Sequence, residues 1–220
     1  MALRGTAICV LAVVALAGCG SSGSKSSGGD TDACSQFSGA PAARTTKAPW
    51  PAPQNPMALT CKAGLIPEKA EFLQYHVHAH LDVFINGRPL FVPAGIGIDT
   101  ANPAVKTEKR LAGIVVGAGL TQVCDDPCIS PLHTHDLSGL LHTETKTPQP
   151  NQLGQFFTQW AVRLTNDCVG GYCKPNVPIK IYVDGTVATG DPTQIELKNL
   201  REIAIVVGTP PATIPREFPR

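Results

Sequence analysis

Residues 75–83 alternate between apolar or aromatic and polar side chains, and the apolar face continues to Ile85. Successive side chains of a β-strand point to opposite faces, so this alternation predicts a strand with one face on a core. The even positions of the strand carry His76, His78 and His80, which places three imidazoles on the opposite face. Asn86-Gly87 follows, a strong signal for a two-residue hairpin that returns through Arg88 to Val92.

Further patterns predict the rest of the fold. Residues 94–110 read as a loop and residues 111–116 as a short apolar strand. Asn151 is a suitable N-cap for a helix whose apolar residues recur at helical spacing up to Leu164. Residues 179–183 and 203–207 alternate as strands. The pattern favours an α+β domain with a mixed or antiparallel sheet and one main helix across it, β-grasp-like; a small β-sandwich or barrel is the alternative.

The amino terminus has the features of an export signal. Arg4 precedes an apolar stretch that is too short to span a membrane, and Leu16-Ala17-Gly18-Cys19 resembles a bacterial lipobox. The resemblance to lipoprotein precursors implies a signal peptide over residues 1–18, cleavage before Cys19 and diacylglycerol on its sulfur. Residues 19–60 then form a Gly/Ser- and Pro-rich tether, 61–210 the folded domain and 211–220 a tail. We therefore expect attachment to the extracytoplasmic face of the cell membrane.

Charge gives little indication of a macromolecular partner. The formal net charge is +1, and Arg4 of the leader accounts for it. There is no basic run with interleaved aromatic residues, so the sequence does not indicate a nucleic-acid-binding protein.

Eight cysteines are present, of which Cys9 belongs to the leader and Cys19 to the lipobox. An even number of the remaining cysteines outside the cytoplasm predicts disulfides. The pairing that closes the shortest loops joins Cys34 to Cys61, Cys124 to Cys128, and Cys168 to Cys173. The alternative is a Cu(I) site formed by the thiolates of Cys124 and Cys128 beside His133. Methionine is also a soft ligand of Cu(I), but Met57 is the only methionine after the leader, so no methionine cluster supports this alternative.

All six histidines fall in two segments, residues 76–80 and 133–142. Neutral imidazole is a common ligand of Zn²⁺ and Cu²⁺, and two H-x-H repeats on neighbouring strands match a three-histidine centre. The candidate ligands are His78, His80, His133 and His135, then His142, with His76 and Glu144 after them. These seven donors exceed the needs of one ion, which indicates outer-sphere roles or a second ion. A histidine network without metal is the competing interpretation. Asp136 is expected to brace the turn that follows His135.

The motifs H-x-H-x-H-L-x-V (residues 76–83), H-T-H-D-x-S-G-x-x-H-x-E (133–144) and L-G-Q-F-F (153–157) occur together. In this combination the chain resembles a group of secreted and lipid-anchored bacterial proteins, over about residues 72–210. The resemblance implies a shared domain and important histidines, but no reaction.

Three classes of function follow. The first is metal capture, buffering or delivery at the cell surface, with Zn²⁺ or Cu²⁺ as the partner. The second is a metal-dependent enzyme with a three-histidine centre and Glu144 as the base. The third is a small-molecule or protein-binding module whose histidines contact its ligand directly. The first is favoured because no nucleophile motif or phosphate-binding loop accompanies the histidines.

Overall fold

A seven-stranded mixed sheet forms the centre of the fold, in the order β10-β9-β11-β1-β6-β5 with β2 beside β1. The computed structural model describes residues 1–2 and 30–219. The strands are β1 (Tyr75–Ile85), β2 (Arg88–Leu90), β3 (Val105–Lys109), β4 (Val115–Leu120), β5 (Leu132–His133), β6 (Leu140–Thr145), β7 (Cys168–Val169), β8 (Tyr172–Cys173), β9 (Ile179–Val183), β10 (Thr186–Val187) and β11 (Arg201–Val207). The helices are α1 (Asp30–Ser35), α2 (Pro56–Lys62) and α3 (Leu153–Gln159), with short 3-10 turns at Leu111–Gly113 and Pro192–Gln194.

The mixed sheet is confirmed, and the few short helices beside it agree with a small α+β or β-dominated fold. β1 pairs in parallel with β11 and antiparallel with both β2 and β6. Within the described residues the sheet keeps open edges and does not close into a barrel. In the same part of the chain, none of the helices has the length and apolar character needed to cross a membrane. Residues 3–29, with the lipobox and Cys19, lie outside the described part.

The strand predicted from alternation is β1, and the hairpin register is as expected, with Ile85 opposite Arg88 and Phe84 opposite Pro89. Of the odd residues of β1, Ala79, Leu81 and Val83 join the main core, and the histidines at even positions lie on the opposite face of the sheet. Helix α3 contributes its apolar side chains to the same core cluster, so it covers the apolar face. The buried side chains shared there include Ala79, Leu81, Val83, Leu132, Leu141, Leu153, Phe156, Phe157, Trp160, Ile203 and Ile205.

Helix α3 is shorter than the sequence predicts. Its N-cap is Gln152, which forms a reciprocal capping box with Gln155, whereas Asn151 is buried and donates a hydrogen bond to Thr143. The helix ends at Gln159 because Ala161 adopts a left-handed conformation with φ 53°. Leu164 therefore lies beyond the helix, although it still packs in the core.

Two further segments differ from the sequence-based expectation. Residues 94–110, predicted as a loop, contain strand β3, and the strand expected at 111–116 lies at 115–120 as β4. The two pair as a separate hairpin with a bulge near Glu108. Residues 31–60 include most of helices α1 and α2, and Trp50 is buried with its ring edge-on to that of Trp160.

The three predicted cysteine pairs are joined as disulfides. Their Cα–Cα distances are 5.7 Å for Cys34–Cys61, 6.3 Å for Cys124–Cys128 and 4.2 Å for Cys168–Cys173. Cys124 and Cys128 are buried in a small second core that includes Ile129, directly before the segment with His133. The sulfur atoms of this pair are bonded to each other, so the structure does not support the Cu(I)–thiolate alternative.

Candidate metal centre

The sheet register brings the two histidine segments together on its polar face. On β1 and β6, His78 lies opposite His142 and His76 opposite Glu144. On β5, His133 also lies opposite His142. Residues opposite each other in a pair of strands place their side chains on the same face, so these five groups form adjoining rungs. This juxtaposition is what the two H-x-H repeats predicted.

The loop after β5 adds His135 to the same group. Thr134, between the two histidines, faces away from them: its hydroxyl donates to the Pro93 carbonyl and accepts from the Ile96 N–H. These bonds fix the backbone at the position where the side chains alternate. His133 and His135 therefore point to the same side.

His133 and His135 face each other with their Nε2 atoms only 3.1 Å apart. The Nδ1 atom of His133 lies 2.8 Å from the Ser130 carbonyl oxygen, and that of His135 lies 2.7 Å from the Ala118 carbonyl oxygen. A carbonyl oxygen only accepts, so both Nδ1 atoms donate and carry the ring protons. Each Nε2 then presents a lone pair, and the two lone pairs repel unless a proton or a metal ion lies between them.

The separation of these nitrogens suits a shared metal ion. Two nitrogen ligands at about 2.05 Å from a tetrahedral zinc ion lie about 3.3 Å apart. In a tetragonal copper site, neighbouring nitrogens at right angles lie about 2.9 Å apart. The observed 3.1 Å between the Nε2 atoms of His133 and His135 falls between these values, so the pair fits either ion.

A second group of donors lies across the His142 ring. The His142 Nδ1 atom is 3.1 Å from His78 Nε2 and 3.2 Å from Glu144 Oε1. The same carboxylate oxygen is 3.2 Å from His76 Nε2. Glu144 Oε1 is therefore the common neighbour of histidines on both β1 and β6.

The second oxygen of Glu144 faces the first pair. Glu144 Oε2 lies 3.9 Å from His133 Nε2 and has no hydrogen-bond partner among the described residues. The side chain is only 4% exposed. Burial alone would raise the pKa of Glu144, but the hydrogen bond with His142 and the nearby histidines lower it below its ordinary value. The group is thus a buried carboxylate with an unoccupied lone pair directed at the histidines.

Two histidines of the cluster, His78 and His133, are held in the neutral form that binds metal. Burial, reinforced by the neighbouring His135, lowers the pKa of His133 to about 3. Burial and then the adjacent His142 lower the pKa of His78. Metal ligation requires deprotonated imidazole, so these shifts remove the competition from protons that would otherwise occur near neutral pH.

Two sets of four side chains each bring one ligand atom per residue to within 4.8 Å of one another. One set contains His76 and His78, the other contains His133 and His135, and both contain His142 and Glu144. These two sets contain all the predicted ligands but His80, which forms a third and separate group with Asp82 and Glu202.

His80 lies on the same face but has other partners. Its Nδ1 atom is 2.8 Å from Glu202 Oε2, and its Nε2 atom is 2.7 Å from the Ser138 carbonyl oxygen. Burial alone would lower the pKa of His80, but its bonds to Glu202 and to the Ser138 carbonyl raise it. Oxygen acceptors at both ring nitrogens favour the doubly protonated cation, which has no lone pair for a metal. Asp82 Oδ2, 3.8 Å from His80 Nδ1, adds to this negative environment.

Two other acidic residues lie in this region, and only one of them, Asp136, was expected from the sequence. Asp136 braces its turn as predicted, because its Oδ1 accepts from the Ser138 N–H at 2.8 Å. Glu71, which the sequence did not single out, places Oε1 3.6 Å from His135 Nε2. Burial, followed by the proximity of Glu144, raises the pKa of Glu71. Glu71 precedes β1 without any motif, so only the tertiary fold shows its position.

The centre is accessible from one side. His76 is 36% exposed and His135 28% exposed, whereas His133 is fully buried. A groove of about 380 Å³ between the β3–β4 hairpin and His135 reaches the edge of the cluster. A metal ion can therefore reach the cluster from solvent on the side of His76 and His135, and His133 is the donor that lies farthest from solvent.

Comparison with protein-family models, with curated proteins and with solved structures finds no match to this chain.

Proposed function

We propose that this chain is a lipid-anchored extracytoplasmic metal-binding protein that captures, buffers or delivers Zn²⁺ or Cu²⁺ through its histidine cluster. The observation that carries the proposal is the pair of Nε2 atoms of His133 and His135, 3.1 Å apart with both Nδ1 atoms bonded to carbonyls. This arrangement is common in metal sites, where the second nitrogen of a ligating histidine is oriented by a hydrogen bond to an oxygen.

A histidine network without metal explains the same residues less well. Such a network stabilises a fold when each donor meets an acceptor. Here the Nε2 atoms of His133 and His135 are both acceptors, and Glu144 Oε2 has no partner within the described part of the chain. A cation between these atoms satisfies all three at once.

The cellular location is inferred from two features. The sequence Leu16-Ala17-Gly18-Cys19 resembles a lipobox and supports acylation of Cys19 after cleavage. Three cysteine pairs at disulfide distance support an oxidising compartment. Metal capture at the outer surface of the membrane is consistent with both.

We further infer that the domain is β-grasp-like. The support is the parallel pairing of the first and last strands of the sheet, β1 and β11, at its centre, with helix α3 in the core on one face. The β-grasp interpretation concerns only the scaffold; the metal proposal depends on the local register of β1, β5 and β6.

The enzymatic alternative requires Glu144 as a base beside a metal-bound water. Glu144 instead has one oxygen in contact with His76 and His142 and the other directed at His133, and it is nearly buried. These contacts favour a ligand role. The groove beside His135 is the feature that favours the enzymatic alternative, because a substrate would have room to bind there.

The proposal is tested by metal analysis of the untagged full chain, extracted in detergent, dialysed and exposed separately to Zn²⁺ and Cu²⁺. We expect at least one bound ion per wild-type chain and a lower metal content in His133→Ala/His135→Ala, which removes the ligands of one ion. His80→Gln serves as the matched control, since it removes a histidine from the same face and should retain the metal. Absence of metal from a folded wild-type protein would overturn the proposal in favour of a binding module with another ligand.

A further inference from the structure

We propose that the cluster is a dinuclear centre in which the carboxylate of Glu144 bridges two metal ions. The inner site is defined by His133 and His135 with Glu144 Oε2, and the outer site by His76 and His78 with Glu144 Oε1. This inference rests on the proposed function, because it assigns the number and arrangement of ions in the same cluster.

The number of donors exceeds what one ion takes. A structural or catalytic zinc ion is bound by three or four protein ligands. Five histidines and one carboxylate converge here, and their ligand atoms divide into two sets of four rather than one compact shell. His142 and Glu144 belong to both sets, so the shared residues lie between the two sites.

Glu144 has the geometry of a bridge. Its Oε1 atom is 3.2 Å from the outer-site His76 Nε2, and its Oε2 atom is 3.9 Å from the inner-site His133 Nε2. The two oxygens of the carboxylate thus face different sites. Carboxylate-bridged ions in two-metal centres lie about 3.5–4 Å apart, a separation that the two oxygens of one carboxylate can span.

The unpartnered oxygen provides independent support. Glu144 is 4% exposed, and its Oε2 lacks a hydrogen bond from any described residue. Leaving a buried charged oxygen unpaired is costly, and the cost is removed when the oxygen ligates a cation. The Oε1 atom already contacts His142 and His76, so an ion at the outer site alone leaves Oε2 unsatisfied.

The two sites differ in exposure and should fill in order. The inner site contains the fully buried His133, while the outer site includes His76, which is 36% exposed. The acidic groups next to the ring nitrogens are Glu144 and Glu71. Their negative charges do not fully neutralise two divalent ions, so the two ions repel each other. We infer that the inner ion binds more tightly and that the outer ion exchanges with solvent.

The test is a Cu²⁺ titration of the full chain in detergent, read by bound metal per chain and by electron paramagnetic resonance. We expect two ions per wild-type chain, with loss of the isolated Cu²⁺ signal as the second ion couples magnetically to the first. His76→Ala/His78→Ala should retain one uncoupled ion, and so should His133→Asn/His135→Asn if folded, as judged by circular dichroism.

The outcomes separate the two proposals. One ion per wild-type chain with an uncoupled signal at saturation overturns the dinuclear centre and leaves the metal-binding function intact. No bound ion overturns both. Because the decisive stoichiometry and coupling are measured on the wild type, a variant that fails to fold does not affect the conclusion. Glu144→Gln should abolish the coupling, and Glu202→Gln, a matched change of a buried glutamate on the same face, should preserve it.

Discussion

The polar face of the sheet carries two histidine–carboxylate clusters that differ in what their imidazole nitrogens contact. Both contain a buried glutamate with an unpartnered oxygen, Glu144 Oε2 in one and Glu202 Oε1 in the other, among the described residues. At His80 both ring nitrogens meet oxygen acceptors. At His133 and His135 one nitrogen meets a carbonyl, and the other meets a second imidazole.

This difference decides which cluster offers nitrogen lone pairs to a metal ion. An imidazole between two acceptors keeps two protons and forms an ion pair. An imidazole whose Nδ1 proton is committed to a carbonyl offers its Nε2 lone pair. The residue type and the face of the sheet are the same, so the chemistry depends on the partners that the fold supplies to each nitrogen.

The largest expected contrast is in metal affinity. His133→Asn retains a donor to the Ser130 carbonyl but removes the Nε2 ligand, and we expect affinity to fall on the order of 100-fold or more. His80→Gln should change it less than about twofold, since His80 has no free lone pair. Competition with a chromophoric chelator measures both, and equal losses in the two variants would contradict the distinction.

The contrast should reverse for the stability of the metal-free protein. Removing one partner of a buried ion pair leaves the other charge uncompensated, so His80→Ala should lower the free energy of unfolding by about 3 kcal/mol. His133→Asn should cost much less, because it removes a repulsive contact with His135. Urea denaturation in the presence of a chelator measures both. A larger loss for His133→Asn would show that the metal-free cluster is itself a stabilising network.

Acidification should destabilise the metal-free protein through His133. The unfolded chain takes up this proton near the ordinary pKa of 6.5, whereas the folded protein takes it up only at about 3. Between these values the unfolded state binds more protons, so the free energy of unfolding falls as the pH falls, by on the order of 3 kcal/mol from pH 7 to pH 4.

The measurement for this prediction is a series of denaturation curves from pH 7 to pH 4, with His133→Asn as the reference. The variant should show a correspondingly weaker pH dependence, since other titrating groups are common to both proteins. Parallel curves for the two proteins would mean that His133 does not resist protonation.

A smaller effect is expected at the turn that supports His80. Gly139 has φ +88°, and a Cβ atom there would lie 2.5 Å from the Leu81 carbonyl oxygen and 3.2 Å from His80 Nε2. Gly139→Ala should therefore lower stability by about 2 kcal/mol while retaining metal.

Gly113→Ala is the matched control for this change. Gly113 has φ +75°, but its added Cβ would meet no described atom within 4 Å, so only the backbone strain applies and the loss should be about 1 kcal/mol. Thermal denaturation gives the difference between the two. Equal losses would mean that the close approach to Leu81 is relieved by movement of the turn.

Local patterns predicted the features that depend on local geometry. Alternation along residues 75–83 indicated β1 and its polar face, and Asn86-Gly87 indicated the hairpin. Short cysteine spacing indicated the Cys124–Cys128 and Cys168–Cys173 disulfides. The two H-x-H repeats indicated a histidine cluster because side chains two apart on a strand share a face.

The partners of the histidines depend on long-range pairing that no local pattern encodes. Glu202 reaches His80 because β11 pairs in parallel with β1 and aligns the two residues, 122 positions apart. Ala118 reaches His135 through the β3–β4 hairpin, and β3 was missed because its polar sequence over residues 105–109 reads as a loop. The predicted ligand set therefore could not separate His80 from the others.

The most direct test of this account is the protonation state of each imidazole, measured by long-range ¹H–¹⁵N correlation NMR of the metal-free protein above pH 8. We expect His133 and His135 to be protonated at Nδ1 with Nε2 free, and both Nε2 resonances to shift on addition of Zn²⁺ while His80 is unaffected. Protonation of either residue at Nε2 instead of Nδ1, or no response to Zn²⁺, would contradict the claim that these two nitrogens form a metal site.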